Sequence, residues 1–359
     1  MDFRDFRDFL TPAAVAANWD EALTLRDPYL GRTLFDTRKK AGLDLGWLRG
    51  SRGLAVSLMP SAFDAKATFR DRIGFKGMEE EMPFFREGYK IKERDRQELL
   101  RIRDANDPYM DSILNRLFDD VNDLIAAAAV VPERMIMQLL FAVDGNVGIE
   151  IKANGVNYTY NYDEDGSWKA SNYIALTGTD TWDSPDTADP FKAIKQGKDA
   201  VRAKTGAEIA VAIMNSNTFN LMANIAAVKN RFLTTSGMTF GYLTDEQLRN
   251  VVENTVGVRI VVYDKMYRDE DKVQHRFVPD GYVSLIPAGN LGTVWYGTTP
   301  EEADLMGGNS NAQVSIVDTG VAITRILEEH PVNTNIFASE IVLPSFERMD
   351  DVALLKVIA

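Results

Sequence analysis

The sequence contains no cysteine, which excludes disulfide staples, thiolate nucleophiles, iron–sulfur clusters and cysteine-ligated zinc. Histidine is nearly absent too: His275 and His330 are the only two in 359 residues, and each lies beside charge, at Gln274-His275-Arg276 and Glu329-His330. Such settings read as exposed loop histidines. There is no GxxxxGK[ST] loop and no GxSxG elbow, so the phosphate-cradling loop and the strained nucleophile turn lose their signatures. A serine triad is a spatial arrangement and stays open. The longest apolar run, Leu124 to Pro132, is under half of the ~20 residues a membrane helix needs. The opening MDFRDFRDF alternates acid and base and lacks the basic flank and apolar stretch of a secretion signal. The expectation is a soluble, non-exported protein, with no membrane partner and no cofactor.

With 45% hydrophobic, 10% aromatic and 26% charged residues, the composition is that of an ordinary folding chain. The length allows two domains, or one domain with long extensions. The net charge of −13 argues against general nucleic-acid binding, which draws on clustered Lys and Arg. The charge is uneven. From Arg49 to Arg103 there are thirteen Lys/Arg against nine Asp/Glu, a net of +4 that leaves −17 on the remainder. A basic stretch on an acidic body suits contact between copies of one chain; it is also compatible with a solvated surface of fluctuating composition.

Residues 1–50 are broken by Pro12, Pro28, Gly31, Gly42 and Gly46 and read as an arm with short helical stretches. Period-two alternation follows. Leu54, Val56 and Leu58 share one face, then Ala67, Phe69, Ile73 and Phe75 alternate with Thr68, Arg70, Arg72 and Lys76. A turn near Gly74 to Gly77 and a second extended run from about Glu79 to Lys92 complete a long β-hairpin. An isolated two-stranded ribbon is marginal in water, so it needs a surface. The reading open at this point is either the chain's own core or another subunit.

From Asp107-Pro108 the apolar spacing becomes helical, with Ile113, Leu117, Val121, Leu124 and Ile125 on one stripe through Val131. Pro132 is expected to kink this helix or open a second one over 133–142. Residues 145–176 read as strand-rich, with Asn154-Gly155 and Asp165-Gly166 as hairpin turns. Helices are then expected over 190–204, 217–230 and 244–253, and strands over 208–214 and 258–263, an α/β-like pattern. Strand-like runs at 341–343 and 352–358 close the chain.

Three local patterns invite chemistry and decline it. Asn161, Asp163, Asp165 and Gly166 match the first positions of a calcium loop, but Asn172 stands where the bidentate glutamate belongs. Lys204-Thr205-Gly206 is a fragment without its companion serine motifs. Asp269, Glu270 and Asp271 most simply cap a solvated hairpin between Tyr263 and Phe277.

Two longer stretches carry a resemblance. Pro28 to Phe35 (PYLGRTLF) and Leu58 to Leu99, including SAFDAKATFRDRIGFKG and EMPFFREGYKIKERDRQEL, together with Gly257 to Leu285, resemble the E-type, lambda-like major capsid proteins of tailed bacteriophages. The resemblance implies an α+β, HK97-like capsid fold: N-terminal arm over 1–51, extended E-loop hairpin over 52–96, peripheral domain with a long spine helix over 97–204, axial domain over 205–315, and a return to the peripheral domain over 316–359. It implies a non-enzymatic shell protein that assembles with itself into pentamers and hexamers. Further implied partners are a separate scaffolding protein, a portal, a decoration protein, and packaged double-stranded DNA without sequence-specific contact. Within the E-loop, Phe69, Ile73 and Phe75 are expected to bury an apolar face against a neighbour while Arg70, Arg72, Arg86 and Arg94 meet its carboxylates. Two rivals stand: an encapsulin-like compartment shell, and a soluble enzyme whose site sequence does not reveal.

Overall fold

The computed structural model describes residues 11–13, 28–49, 76–94, 97, 110–153, 155–236, 244–307, 313–317, 319–328, 330 and 333–359. In chain order, α1 (Gly31–Leu34), β1 (Phe35–Lys39) and β2 (Asp44–Arg49) come first, then β3 (Lys76–Glu81), β4 (Phe84–Ile91) and the long helix α2 (Met110–Leu140). β5 (Gly148–Ala153) and β6 (Val156–Asn161) precede α3 (Ser167–Asn172) and β7 (Tyr173–Ala175). Next are α4 (Pro190–Thr205), β8 (Ile209–Met214), α5 (Ser216–Asn224), α6 (Ala226–Ser236), α7 (Asp245–Val256) and β9 (Arg259–Val262). The chain ends through β10 (Met266–Arg268), β11 (Gln274–Arg276), β12 (Tyr282–Pro287), β13 (Gly292–Tyr296), α8 (Pro300–Gly307), β14 (Gln313–Val317), β15 (Val321–Glu328), β16 (Asn333–Ser345) and β17 (Ala353–Lys356).

Two compact units result. The first comprises Met1–Leu45, Glu79–Arg134 and Thr293–Ser345. Its sheet runs β1-β13-β16-β15-β14, with β4 also on β16. β16 is the organising strand: its first half carries β15 along one edge and β4 along the other, both antiparallel, and its last residues pair with β13. Val121, Leu124 and Ile125 of α2 pack on Ile91, Ile323 and Ile336 of this sheet, as an apolar helical stripe requires. A hydrogen bond links the arm to the helix. Gly31 N donates to the buried Glu133 carboxylate at 2.8 Å, giving an orphan amide at the start of α1 an acceptor.

The second unit comprises Gly46–Met78, Met135–Gly292 and Phe346–Ala359. Its mixed sheet runs β7-β17-β12-β8-β9, with β8 and β9 parallel through the helical connection α5, α6 and α7, and β17 parallel to β7. β12 is buried along its whole length, and α4 lies close to it because residue 197 is glycine: a Cβ there would meet Leu285 Cδ1 at 2.4 Å. The helix ends are written locally. Asp189 caps α4 by accepting from Lys192 N, Pro190 sits at its first turn, and Gly206 closes it at φ +76°. Thus Lys204-Thr205-Gly206 is the end of a helix. Thr244 and Gln247 form a reciprocal capping box on α7.

Four expectations are corrected. Pro132 opens no second helix but lies inside a single one, Met110–Leu140. Its cost of about 3 kcal/mol is outweighed by burial of Met135, Ile136, Leu139 and Leu140, each contributing roughly 1.5 to 3 kcal/mol. Residues 217–230 form parts of two helices, α5 and α6, separated where Ile225 turns extended (φ −72°, ψ 133°). Asp165-Gly166 opens α3 instead of turning a hairpin, whereas the Asn154-Gly155 turn does join β5 to β6. Of the long hairpin over 54–92, the first leg up to residue 75 lies outside the described residues, and the second run differs from expectation. β3 pairs with β2, and β4 leaves the ribbon to join the sheet of its own chain. The ribbon's described root is therefore 44–49 with 76–81.

Candidate assembly site

β2 alternates exposed and buried. Leu45, Trp47 and Arg49 face inward, and Leu48 is 56% exposed on the other side. On β3, Met78 is buried between the exposed Gly77 and Glu79. Met82 N donates to Leu43 O at 2.9 Å, at the start of β2 and just past the end of β3, so the two strands run antiparallel. Among the described residues this ribbon pairs with no further strand; its inward side chains must hold it.

Arg49 does so through oxygens from separate parts of the chain. Its guanidinium donates to Tyr162 O at 3.1 Å, Asp163 Oδ1 at 3.1 Å and Ser167 Oγ at 3.2 Å. Asp165 and Asp350 carboxylates lie at 3.7 and 3.5 Å. Asp163 is itself fixed, accepting from the amides of Trp168 and Lys169, and Asp350 also receives Lys204 Nζ at 3.0 Å. The Trp47 ring stands 5.3 Å from that of Tyr162. The calcium-like spacing in the sequence is thus an oxygen cage, and the cation it holds is a planar guanidinium from β2. Arg suits this role because its fork of donors is rigid and always charged.

β4 follows as a strand whose register on β16 runs from Ile91↔Thr334 to Phe84↔Ile341. Arg86 forms an ion pair with Glu301 at the first turn of α8, and its guanidinium lies 4.7 Å above the Phe84 ring. Ser339 Oγ donates to the other Glu301 oxygen at 3.0 Å. Gly88 sits opposite Phe337, where a Cβ would lie 2.5 Å from that ring and 2.6 Å from Ile336 O. At the far end of β4, Glu328 gathers three donors: Lys90 Nζ at 2.9 Å, Asn333 Nδ2 at 2.9 Å and Asn335 Nδ2 at 2.7 Å.

Those contacts, the Asn333 bond foremost, then Lys90 and Asn335, hold the Glu328 carboxyl at about 2 against an ordinary value of 4.5. A carboxyl depressed on folding stabilises the fold above its unfolded pKa, and that contribution is lost as pH falls through the folded one. The β4–β16–β15 link is therefore expected to weaken between pH 4.5 and about 2. Amide exchange of β4 measured across this window checks it. Glu328→Gln, which cannot titrate, is expected to flatten the response, and an unchanged profile in that variant would remove the assignment.

Of the seven residues singled out from sequence, Phe69, Arg70, Arg72, Ile73 and Phe75 lie outside the described residues. Arg86 is paired within its own chain, and Arg94 is exposed. Sequence reasoning missed Arg49, Glu301 and Glu328. For Arg49 a signal existed: Leu45, Trp47 and Arg49 share one phase of a period-two pattern. His275 is exposed, with Nε2 2.7 Å from Asp269 Oδ2, in the β10–β11 hairpin whose acidic tip the sequence placed correctly. Among the described residues no cluster of three or more His, Asp or Glu could hold a metal, and no helix is long and apolar enough to cross a membrane.

The family model described as phage major capsid protein E matches residues 21–357. No protein among the curated sequences matches. Among solved structures, the putative capsid protein of a prophage of E. coli CFT073 is similar at TM-score 0.60 and 15% identity, with 98% of this chain and 99% of that chain covered. A phage-related protein from Bordetella bronchiseptica RB50 is similar at TM-score 0.55 and 14% identity, covering 96% and 97% respectively.

Proposed function

This chain belongs to the phage major capsid protein E family, and from that membership we propose that its copies close into pentamers and hexamers tiling an icosahedral shell around phage DNA. It is a structural protein of the virion with the HK97-like capsid fold. The observation that carries the assembly reading is the β2–β3 ribbon, a two-stranded element with no third strand among the described residues. A ribbon of that kind is marginal alone; one face of its root is held by its own subunit through Trp47, Arg49 and Met78, and the opposite face, with the exposed Leu48, is the one offered to a second copy. Head-to-tail contacts of this type close into rings.

In this reading the arm is 1–51, the E-loop 52–96, the peripheral domain 97–204, the axial domain 205–315 and the return 316–359. These are roles in a shell, whereas the two compact units are divisions of packing. β4, inside the proposed E-loop span, serves as its fixed end, because eight residues pair with β16. Arg94 is exposed beyond that end and is available to a neighbour's carboxylate. Arg86, already held by Glu301, serves the base of the loop. Assembly takes place in the bacterial cytoplasm with a scaffolding protein and a portal, and a decoration protein adds to the finished shell. The net charge of −13 keeps packaged DNA from binding tightly.

Electron microscopy of the purified protein over a concentration series tests the reading. Rings of five or six subunits, or closed shells, are expected. A stable monomer at every concentration would overturn it.

A further inference from the structure

The described root of the ribbon is held by Leu45, Trp47, Arg49 and Met78, its buried side chains. Apolar burial is non-directional, so the aliphatic groups and the indole face tolerate rotation and sliding of the strand pair. The guanidinium does not. Its donors form a flat fork in fixed geometry, and they reach Tyr162 O and Asp163 on one loop and Ser167 at the start of α3, while Asp350 approaches from near the C-terminus. Asp163 cannot move to follow a shifted strand, because the amides of Trp168 and Lys169 hold its two oxygens. The neighbouring Leu48, by contrast, is exposed and makes no demand on direction.

We propose that Arg49 is a positioning residue for assembly: the oxygen cage of Asp163, Ser167 and the Tyr162 carbonyl presets the orientation of the ribbon's root, 44–49 with 76–81, before any neighbour is met. This rests on the reading that the ribbon completes itself on a second copy. A head-to-tail contact closes into a ring only when its rotation is right, and otherwise propagates into open or irregular assemblies. A preset angle also spares the ordering cost that a loose ribbon would meet on binding. The loop that resembles a calcium site therefore works with an internal cation supplied by the ribbon itself.

The test is Arg49→Lys, which keeps the charge and loses the fork, with Asp165→Asn as a milder second variant because Asp165 lies at the cage edge and is half exposed. Two measurements are made on the same preparations. In the free subunit, amide exchange over 44–49 and 76–81 is expected to rise about tenfold or more in Arg49→Lys, with β8, β12 and β17 unchanged. Particles formed by that variant are expected to be open or heterogeneous in diameter where the unsubstituted protein gives uniform ones, and Asp165→Asn is expected to shift both readouts in the same direction by less. A merely structural role would raise exchange throughout the second unit, and that result overturns the proposal. Uniform shells with unaltered ribbon exchange in Arg49→Lys overturn it as well. If the unsubstituted protein forms no rings or shells, the assembly reading fails, a different outcome from either of these.

Discussion

Replacing Phe69 and Phe75 together with serine is expected to leave a folded, soluble subunit that no longer forms shells. Both residues lie in the segment joining β2 to β3, at the apolar phase of a period-two pattern whose other phase is Thr68, Arg70 and Arg72. Both lie outside the described residues, and the expectation rests on this pattern. Each large apolar side chain removed from water between subunits contributes roughly 1.5 to 3 kcal/mol before ordering costs. Losing two weakens each contact by about 3 kcal/mol or more, and 1.4 kcal/mol is already about tenfold in affinity. In a closed shell the contact repeats around every ring, so the concentration needed for assembly rises beyond practical reach. Sedimentation velocity and electron microscopy read the result directly. Normal particles from the double variant would show that these side chains are not the buried face.

How much of the molecule is legible in its sequence depends on the range of the interaction that decides each element. Asp189-Pro190 with Gly206 delimits α4, and Thr244, Gln247 and Gly257 delimit α7, because a cap is settled within a few residues. Asn154-Gly155 gives the β5–β6 turn for the same reason. Failures cluster where partners are distant. β4 reads as the second leg of a ribbon, since nothing in FFREGYKI announces that β16 will pair with it. β13, β14 and β15 are hidden beside the Gly/Asn-rich stretch 307–312, whose turn signals dominate the local pattern. At the candidate site the loop of Asn161, Asp163 and Asp165 is visible as a cation cage, but its cation is a residue more than a hundred positions earlier. A spacing rule sees ligands that are close in sequence, and it is blind to a guanidinium that folding delivers.

The second large effect concerns the same loop from its other side. Trp168 is fully buried, and its indole N–H is shared between Met349 O at 2.9 Å and Val352 O at 3.2 Å. Asn172, one turn later, donates to Asp350 O and Val352 O. The short helix α3 thus pins the segment 349–352 that feeds β17 into its sheet between β7 and β12. Trp168→Ala is expected to cost about 3 to 5 kcal/mol, the range for deleting a large aromatic from a close-packed core. Trp168→Phe keeps most of the volume and loses the shared donor, so its cost is expected to be nearer 1 to 2 kcal/mol. Denaturant melts of dissociated subunits compare the two. Equal losses in both variants would mean that the bond to the 349–352 carbonyls, and not the packed ring, supplies the stability. That would in turn place the hold on β17 in a single hydrogen-bonded turn, where Asn172→Ala should then reproduce the full effect.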